Sequence, residues 1–463
     1  MNKDILFALI LATVFAAHSK EEWKSRTIYQ LLTDRFARSN NNREHCQDLG
    51  KYCGGTFRGI IDNLDYIHEM GFDAIWISPV VDNTDNGYHG YWARDWTKIN
   101  SHFGSEQDLK DLVEACHRKG MWVMVDVVAN HVGPVGTDYT SIYPFNRAEH
   151  YHDYCEIEDQ DWDNDQTRVE NCRLAQLPDL KQENTWVADT LCDWVKNLVQ
   201  KYDLDGVRVD TVHLVPPLFW SRYKQCAGAF TLGEVFSGKI EYVGGYIGPV
   251  DSVLNYPIFG DLRKTFKGGS FLELVKRINE VTRAFGEEQN YMGLFVNNHD
   301  NVRFLYEHEN WDNFIGALVF SLFYPGIPIV YYGDEQGYGG GNDPLNREVL
   351  WNNMDRNCKI YQVLKKAINV RKTHKVWNHP YNDLWHTETM LAFTRGEVLI
   401  VLTNRRQGLD MEIPNVPFPD GSRICSVLDG GCTTVNNGKA YIKLGENQTG
   451  LFVKANQQLP MEV

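Results

Sequence analysis

The chain is 463 residues long, 43% hydrophobic and 23% charged, and carries a formal net charge of −15. Such a length accommodates two or three units with large cores. The acidic balance has no compensating Lys/Arg block and argues against nucleic acid as a partner. No run beyond the N-terminus is apolar enough for a membrane span. Thirteen Trp, 23 Tyr and 22 Phe provide flat rings that suit both core packing and the apolar faces of sugars.

Residues 1–19 read as a secretory signal, with Lys3, an apolar run over 5–17 and the ending Ala17-His18-Ser19. The stretch is too short to cross a bilayer stably. The mature chain is therefore expected outside the cell, or in the lumen of a digestive or secretory compartment. Ten cysteines fit that oxidising setting. Cys46 with Cys53, Cys155 with Cys172, and Cys425 with Cys432 flank short loops and are expected to pair. Cys116 and Cys192 fall in helix-like segments and are expected as free buried thiols, while the pairing of Cys226 and Cys358 stays open. Asn447-Gln448-Thr449 is an N-glycosylation acceptor.

From Thr27 onward, strand-like and helix-like segments alternate. Strands are predicted at 28–32, 74–78, 121–128, 204–210, 230–234, 252–255, 292–296 and 327–332, with helices over 60–70, 106–119, 185–201 and 271–284. The nearly continuous apolar run 121–128 marks a strand buried on both faces, as in a parallel sheet covered by helices. Eight such strands predict an α/β fold, a (β/α)8 TIM barrel. After its third strand the rhythm breaks: 133–180 is polar, aromatic, rich in Asp and aperiodic. A structureless loop of that length is out of place in a compact domain, so 132–182 is read as an inserted small subdomain between barrel segments 20–131 and 183–375. Beyond a helix at 361–372, short strands at 390–394, 398–402, 441–444 and 451–453, with the turn signal Asn437-Gly438, predict an antiparallel all-β C-terminal domain over 376–463.

In such a barrel catalysis belongs at the carboxyl ends of the strands. There the chain places Asp126, Asn130, His131, Arg208, Asp210, Glu234, His299 and Asp300. Residues two apart in an extended stretch share a face, so Arg208 stands beside Asp210 and favours its ionised form. Asp210, Glu234 and Asp300 come from three strands to one mouth, and gathering like charges is costly unless they are paired or used. Paired carboxylates in an aromatic cleft match glycosidic bond cleavage through an oxocarbenium-like transition state. Asp210 is the expected nucleophile, and Glu234, near other acids, is expected to hold its proton for the leaving oxygen. No Gly-x-Ser-x-Gly, Walker or His-Glu-x-x-His motif supports another chemistry.

Four blocks, Asp126-Val127-Val128-Ala129-Asn130-His131, Gly206-Val207-Arg208-Val209-Asp210, Gly233-Glu234-Val235 and Phe295-Val296-Asn297-Asn298-His299-Asp300, closely resemble the signature regions of the α-amylase family of glycoside hydrolases. Thr33-Asp34-Arg35-Phe36, Tyr52-Cys53-Gly54-Gly55-Thr56, Tyr88-His89-Gly90-Tyr91-Trp92 and Gly341-Asn342-Asp343-Pro344-Leu345-Asn346-Arg347 look like the fungal-type secreted α-amylases in particular. The resemblance implies a secreted, monomeric, endo-acting and retaining hydrolase of α-1,4-glucan polysaccharides. It assigns Asp210 as nucleophile, Glu234 as acid/base and Asp300 as transition-state stabiliser. It also implies sugar contacts from Tyr91, His131, Arg208, His213, Gly238, His299, Asp343 and Arg347. A structural Ca2+ is implied where the insert meets the barrel, held by Asn130, Glu170, Asp179 and a main-chain carbonyl at His213 or Leu214. These are oxygen donors, which suit a hard cation.

One departure stands out. Such enzymes typically follow the nucleophile with a Lys-His pair on the leaving-group side, and here the positions hold His213 and Leu214. An altered product pattern, or weaker binding of the reducing-end sugars, is the expected result. The same barrel and triad also serve α-glucosidases and α-glucan transglycosylases. An inactive carbohydrate-binding homologue is expected to lack a carboxylate, and all three are present.

Overall fold

Eight short parallel strands make one sheet: β1 (Ile28–Leu31), β2 (Ala74–Ile77), β3 (Trp122–Val127), β4 (Gly206–Val209), β5 (Phe230–Gly233), β6 (Ser252–Val253), β7 (Gly293–Leu294) and β8 (Ile327–Tyr331). The computed structural model describes residues 18–162, 164–405, 408–446 and 448–455. Most of the expected signal stretch and Asn447 of the glycosylation acceptor lie outside these. Among the described residues no helix is long and apolar enough to cross a membrane. The strands pair in the order β6-β5-β4-β3-β2-β1-β8-β7. A parallel bridge between Leu254 and Gly293 joins the two ends into a barrel. Gly293 is what that seam requires, because a Cβ there would lie 2.8 Å from side-chain atoms of Ile329 and Leu254.

Alternation along each strand sorts side chains between two cores. Val123, Val125, Val207, Val209, Val253, Leu294 and Val330 face the surrounding helices. Ile28, Ala74, Trp76, Trp122, Met124, Phe230, Leu232, Ile327 and Ile329 fill the interior together with Trp23. Trp23 closes the amino end, its indole N–H donating to the Asp205 carbonyl at 3.2 Å. Each fully buried aliphatic side chain contributes about 1.5–3 kcal/mol, and these apolar layers support a polar one above them. There Gln30, Asp126 and Arg208 occupy interior positions and are almost completely buried.

The expected helices are present with small shifts, at Glu106–Arg118, Thr185–Tyr202, Phe271–Phe285 and Lys359–Thr373. The one expected over 60–70 is two helices, Phe57–Asp62 and Leu64–Glu69. They meet at Asn63, whose side chain donates to the Gly59 carbonyl at 2.9 Å and so competes with the helical ladder. Trp311–Phe323 is a helix that periodicity misses, because every residue from Asn313 on is buried and no polar stripe marks a period. After β2 an irregular hairpin, Val81–Asn83 with Ala93–Ile99, carries the loop with Tyr88 and Tyr91.

Within 132–182 lie a helix, Gln166–Asn171, and a 3-10 turn, Ala148–His150, tied to the barrel by a bridge between His131 and Asp179. At the C-terminal end a six-stranded antiparallel sheet runs from Tyr381–Thr387 to Gly450–Lys454 in sequence, accompanied by the pair Leu409–Ile413 and Ala440–Leu444. One face of the large sheet joins the core of the barrel helices, and the other covers its own cluster of Leu399, Val401, Ile424 and Ile442.

Disulfides join Cys46–Cys53, Cys155–Cys172 and Cys425–Cys432 as expected. A fourth corrects the expectation of a free Cys192, which pairs with Cys226. The two lie on the adjacent helices Thr185–Tyr202 and Pro217–Ala227, so a residue in a helix interior is cross-linked by tertiary packing that sequence spacing does not reveal. Cys116 is a buried free thiol and Cys358 a partly buried one. Non-reducing peptide mapping is expected to recover the Cys192–Cys226 link, and Cys192→Ser to destabilise by about 2–4 kcal/mol in denaturant titration.

Candidate active site

The polar layer is organised by Arg208. Asp126 and Arg208 are register partners on β3 and β4. Beyond the strand ends the ladder continues, with Asp210 N–H donating to the Val127 carbonyl at 3.0 Å and Glu234 N–H to the Val209 carbonyl at 2.8 Å. The acids are thus held by strand hydrogen bonds although they stand at the rim. Arg208 Nη1 donates to Asp126 Oδ1 and Oδ2, both at 3.0 Å, and to Asp210 Oδ1 at 2.6 Å. Its Nη2 lies 2.8 Å from Glu234 Oε1. This last contact is close but misaligned, and neither atom makes a hydrogen bond among the described residues. The turn after the nucleophile candidate is strained: Thr211, a β-branched residue, sits at φ 46, ψ 42. That conformation aims its N–H at Glu234 Oε2, 3.2 Å away.

One guanidinium facing three carboxylates leaves excess negative charge in a buried site. Burial pushes Glu234 up to about 8, with Asp210 and Asp300 adding to the rise against the pull of Arg208. Burial likewise pushes Asp126 up to about 7. Asp126 is the better satisfied of the two, because it also accepts from Tyr91 Oη at 2.7 Å and Trp76 Nε1 at 3.1 Å. Glu234 is therefore the natural holder of the proton.

Asp300 behaves oppositely. Burial would raise it, but His299, Arg347 and Arg208 bring it below its ordinary value. Burial takes His299 itself down to about 3, so that imidazole is neutral and the permanent charges of the two arginines carry the effect. Asp300 is surrounded by protein yet its side chain is 32% exposed, as befits a group at the mouth of a cleft. Arg347 Nη2 reaches Asp300 Oδ1 at 3.4 Å, and its Nη1 reaches Asp343 Oδ1 at 3.2 Å. Tyr91 stacks parallel on His299 with ring centroids 5.3 Å apart, and its hydroxyl is 2.7 Å from His299 Nε2. His131 Nε2 lies 3.2 Å from the Tyr91 carbonyl. Tyr91, His131, Arg208, His299, Asp300, Asp343 and Arg347 thus form one contact network with Asp210 and Glu234. Gly238 does not join it: it is exposed on the loop after β5, with open space where a side chain would stand.

Several contributors escaped sequence reasoning. Gln30 Nε2 lies 2.7 Å from His299 Nδ1, and its signal was a lone amide inside an apolar strand. Asp126 was visible at a strand end, but its sharing of Arg208 was not. Trp76 was placed only as a strand residue and Tyr88 only within a family-like block, with no contact assigned to either.

Comparison with known proteins agrees with this geometry. The family described as "Alpha amylase, catalytic domain" matches residues 30–410. The chain belongs to the α-amylase family. Alpha-amylase 1 of Schizosaccharomyces pombe is 38% identical over 94% of this chain and 74% of that protein. The alpha-amylase of Saccharomycopsis fibuligera is 35% identical over 98% of each. Among solved structures, an alpha-amylase from Malbranchea cinnamomea matches with a TM-score of 0.90 at 35% identity, over 95% of this chain and 98% of that one. The expected resemblance to fungal α-amylases is borne out.

Two further features of this α-amylase-family chain bear on its chemistry. Where the insert meets the barrel, the Asn130 amide abuts Asp179 Oδ1 at 3.1 Å and the Leu214 carbonyl at 3.2 Å. With its oxygen on that side three oxygens converge, an arrangement that a cation rewards. With its nitrogen there the amide donates to both. Burial raises Asp179 to about 7 against the pull of His152, whose Nδ1 is 2.6 Å from Asp179 Oδ2. Glu170 stands beside the His213 carbonyl, Gln166 Nε2 donating to both at 2.9 and 3.0 Å. After Asp210, at the position expected on the leaving-group side, burial takes the His213 ring down to about 4, so that ring is uncharged near neutrality. Its neighbours are the half-exposed ring of Trp162, 6.0 Å away, and Tyr242, 6.3 Å away.

The pH dependence follows from these shifts. Protonated Glu234 is present below its folded value of about 8 and is lost as pH rises through it, so kcat/KM is expected to fall on that alkaline limb. In folding, the native state holds this proton between Glu234's ordinary value of 4.5 and about 8 while the unfolded chain releases it, so stability declines with rising pH across that window. Glu234→Gln, neutral throughout, is expected to show a flatter Tm against pH there, measured by thermal unfolding.

Proposed function

We propose that the protein is an exported, endo-acting α-amylase that hydrolyses internal α-1,4 bonds of starch- or glycogen-type glucans with retention of configuration. The carrying observation is that Asp210 and Glu234 both contact neighbouring nitrogens of one buried guanidinium. That closeness suits direct attack by a carboxylate, which retaining enzymes perform with carboxyl groups about 5–5.5 Å apart, rather than the wider gap of about 6.5–9.5 Å that inversion uses for a water. Asp210 attacks the anomeric carbon while Glu234 passes its proton to the glycosidic oxygen. The aglycone leaves, Glu234 now takes a proton from an incoming water, and the new hydroxide character releases the sugar from Asp210. Asp300, ionised, binds ring hydroxyls and stabilises the oxocarbenium-like state. Tyr91 supplies a stacking face. Four disulfides support an oxidising, extracellular setting.

A second outcome is favoured by the leaving side. Trp162 beside a neutral His213 offers an aromatic surface to an acceptor sugar, and a sugar that takes the place of water turns hydrolysis into transglycosylation. Rapid viscosity loss of soluble starch with mixed short products is the expected result. Release of glucose alone from chain ends would overturn the endo assignment, and longer products appearing at high oligosaccharide concentration would identify transfer. Asp210→Asn and Glu234→Gln are each expected to lower kcat by about 10³-fold or more with the fold intact by circular dichroism.

Ca2+ belongs to the same proposal. Asn130, Asp179 and the Leu214 carbonyl form an oxygen-rich corner that fits a hard cation, with Glu170 and the His213 carbonyl adjoining. When bound, the ion would neutralise Asp179 and fasten the insert to the barrel. Chelation is expected to lower Tm by several degrees, with recovery on adding Ca2+ but not Na+. An unchanged Tm after verified metal removal counts against it.

A further inference from the structure

We infer that Asn346 is the positioning residue for Asp300, an assignment that rests on the transition-state role proposed for that carboxylate. Asp300 follows β7 on a turn with no regular secondary structure, and its carboxylate is loosely held. Its contacts are Arg347 Nη2 at 3.4 Å and His299 Nε2 at 3.2 Å, and that imidazole nitrogen is already engaged with Tyr91 Oη at 2.7 Å. The position of the acid is therefore set by its backbone.

That backbone is gripped from two sides. Asn298 Oδ1 accepts from the N–H groups of Asp300 and Asn301, both at 3.1 Å, and Asn298 Nδ2 donates to Tyr256 Oη at 2.8 Å. From the opposite side Asn346 Nδ2 donates to the carbonyl of His299 at 3.0 Å and to that of Asn301 at 2.9 Å. The peptide group just before Asp300 and the one just after Asn301 are thus both pinned by one side-chain nitrogen, which brackets the acid within the turn. Asn346 is anchored in turn, its own carbonyl accepting from Tyr331 Oη on β8 at 3.1 Å. The neighbouring Arg347 Nε adds a second donor to the His299 carbonyl at 3.0 Å.

The other half of the amide argues that this is no ordinary packing residue. Asn346 is fully buried, and its Oδ1 has no hydrogen-bond partner among the described residues. A buried acceptor left unpaired is a cost that an apolar or smaller side chain would avoid. What the amide contributes in return is its two donors, both spent on the turn that carries Asp300.

Displacement of a catalytic group by about 1 Å costs on the order of 10²-fold in rate. Asn346→Ala is therefore expected to lower kcat on a soluble maltooligosaccharide by about 10- to 100-fold while KM moves by less than about 3-fold. A merely structural residue would not be coupled to the acid. In an Asp300→Asn background the same substitution is expected to slow turnover by no more than about 2-fold, since no carboxylate remains to be misplaced. If Asn346→Ala keeps kcat within about 2-fold of wild type, or slows the Asp300→Asn enzyme by the same factor as wild type, the inference is overturned. Should the alanine variant fail to fold by circular dichroism, Asn346→Ser is held to the same outcomes. Asp300→Asn that remains fully active would instead remove the role of Asp300, a failure distinct from this one.

Discussion

A single buried guanidinium on β4, shared among Asp126, Asp210 and Glu234, sets the terms for the rest of the molecule. Its desolvation is tolerable only because three acids surround it, and the acids are tolerable together only because it is there. The sum is still negative. Like charges about 4 Å apart at an effective dielectric near 20 repel by about 4 kcal/mol, some 3 pK units. Burial adds to that repulsion, and the pair of effects is large enough to keep one carboxyl protonated near neutrality. The proposed division of labour between Asp210 and Glu234 rests on alignment: the acid with the poorest hydrogen-bond geometry to Arg208 retains the proton.

The polar layer is also wired to its surroundings. From the insert, the His131 backbone bridges Asp179 and its ring touches the Tyr91 carbonyl. Tyr91 reaches Asp126 and His299, and His299 reaches Gln30 on β1. A path of contacts therefore runs from the oxygen-rich corner beyond β3, through Tyr91 and His299, to β1 two strands away. Each side-chain link between His131 and Gln30 is a contact of 3.2 Å or less.

The sequence carried the barrel because its strands announce themselves by β-branched and apolar runs bounded by turns, and all eight stand where that pattern places them. It carried the acids because a charged residue at the end of such a run has few bland explanations. What it could not carry depends on three dimensions. The Trp311–Phe323 helix is buried on every side and so has no period. Cys192 and Cys226 meet only because two helices pack side by side. Arg208 is within i+2 of Asp210, which local geometry foretells, whereas its contacts with Asp126 and Glu234 arise from register between strands far apart in the chain. Asn346 was legible only as one member of the family-like block 341–347, and its hydrogen bonds to the turn of Asp300 were not.

The cylinder is not equally firm all the way round. Adjacent strands from β1 through β5 share four registered pairs each, whereas β5 with β6 and β7 with β8 share two. β8 with β1 share three, and the seam between β6 and β7 is a lone bridge at Gly293. The sparser pairing therefore gathers between β5 and β8, with Glu234 following β5 at one border of that arc and Asp300 following β7 inside it, while Asp210 follows β4 on the fully registered arc. The strand that leads to Asp210 is thus laced by four pairs on each side, and the one that leads to Asp300 by two pairs on one side and a single bridge on the other.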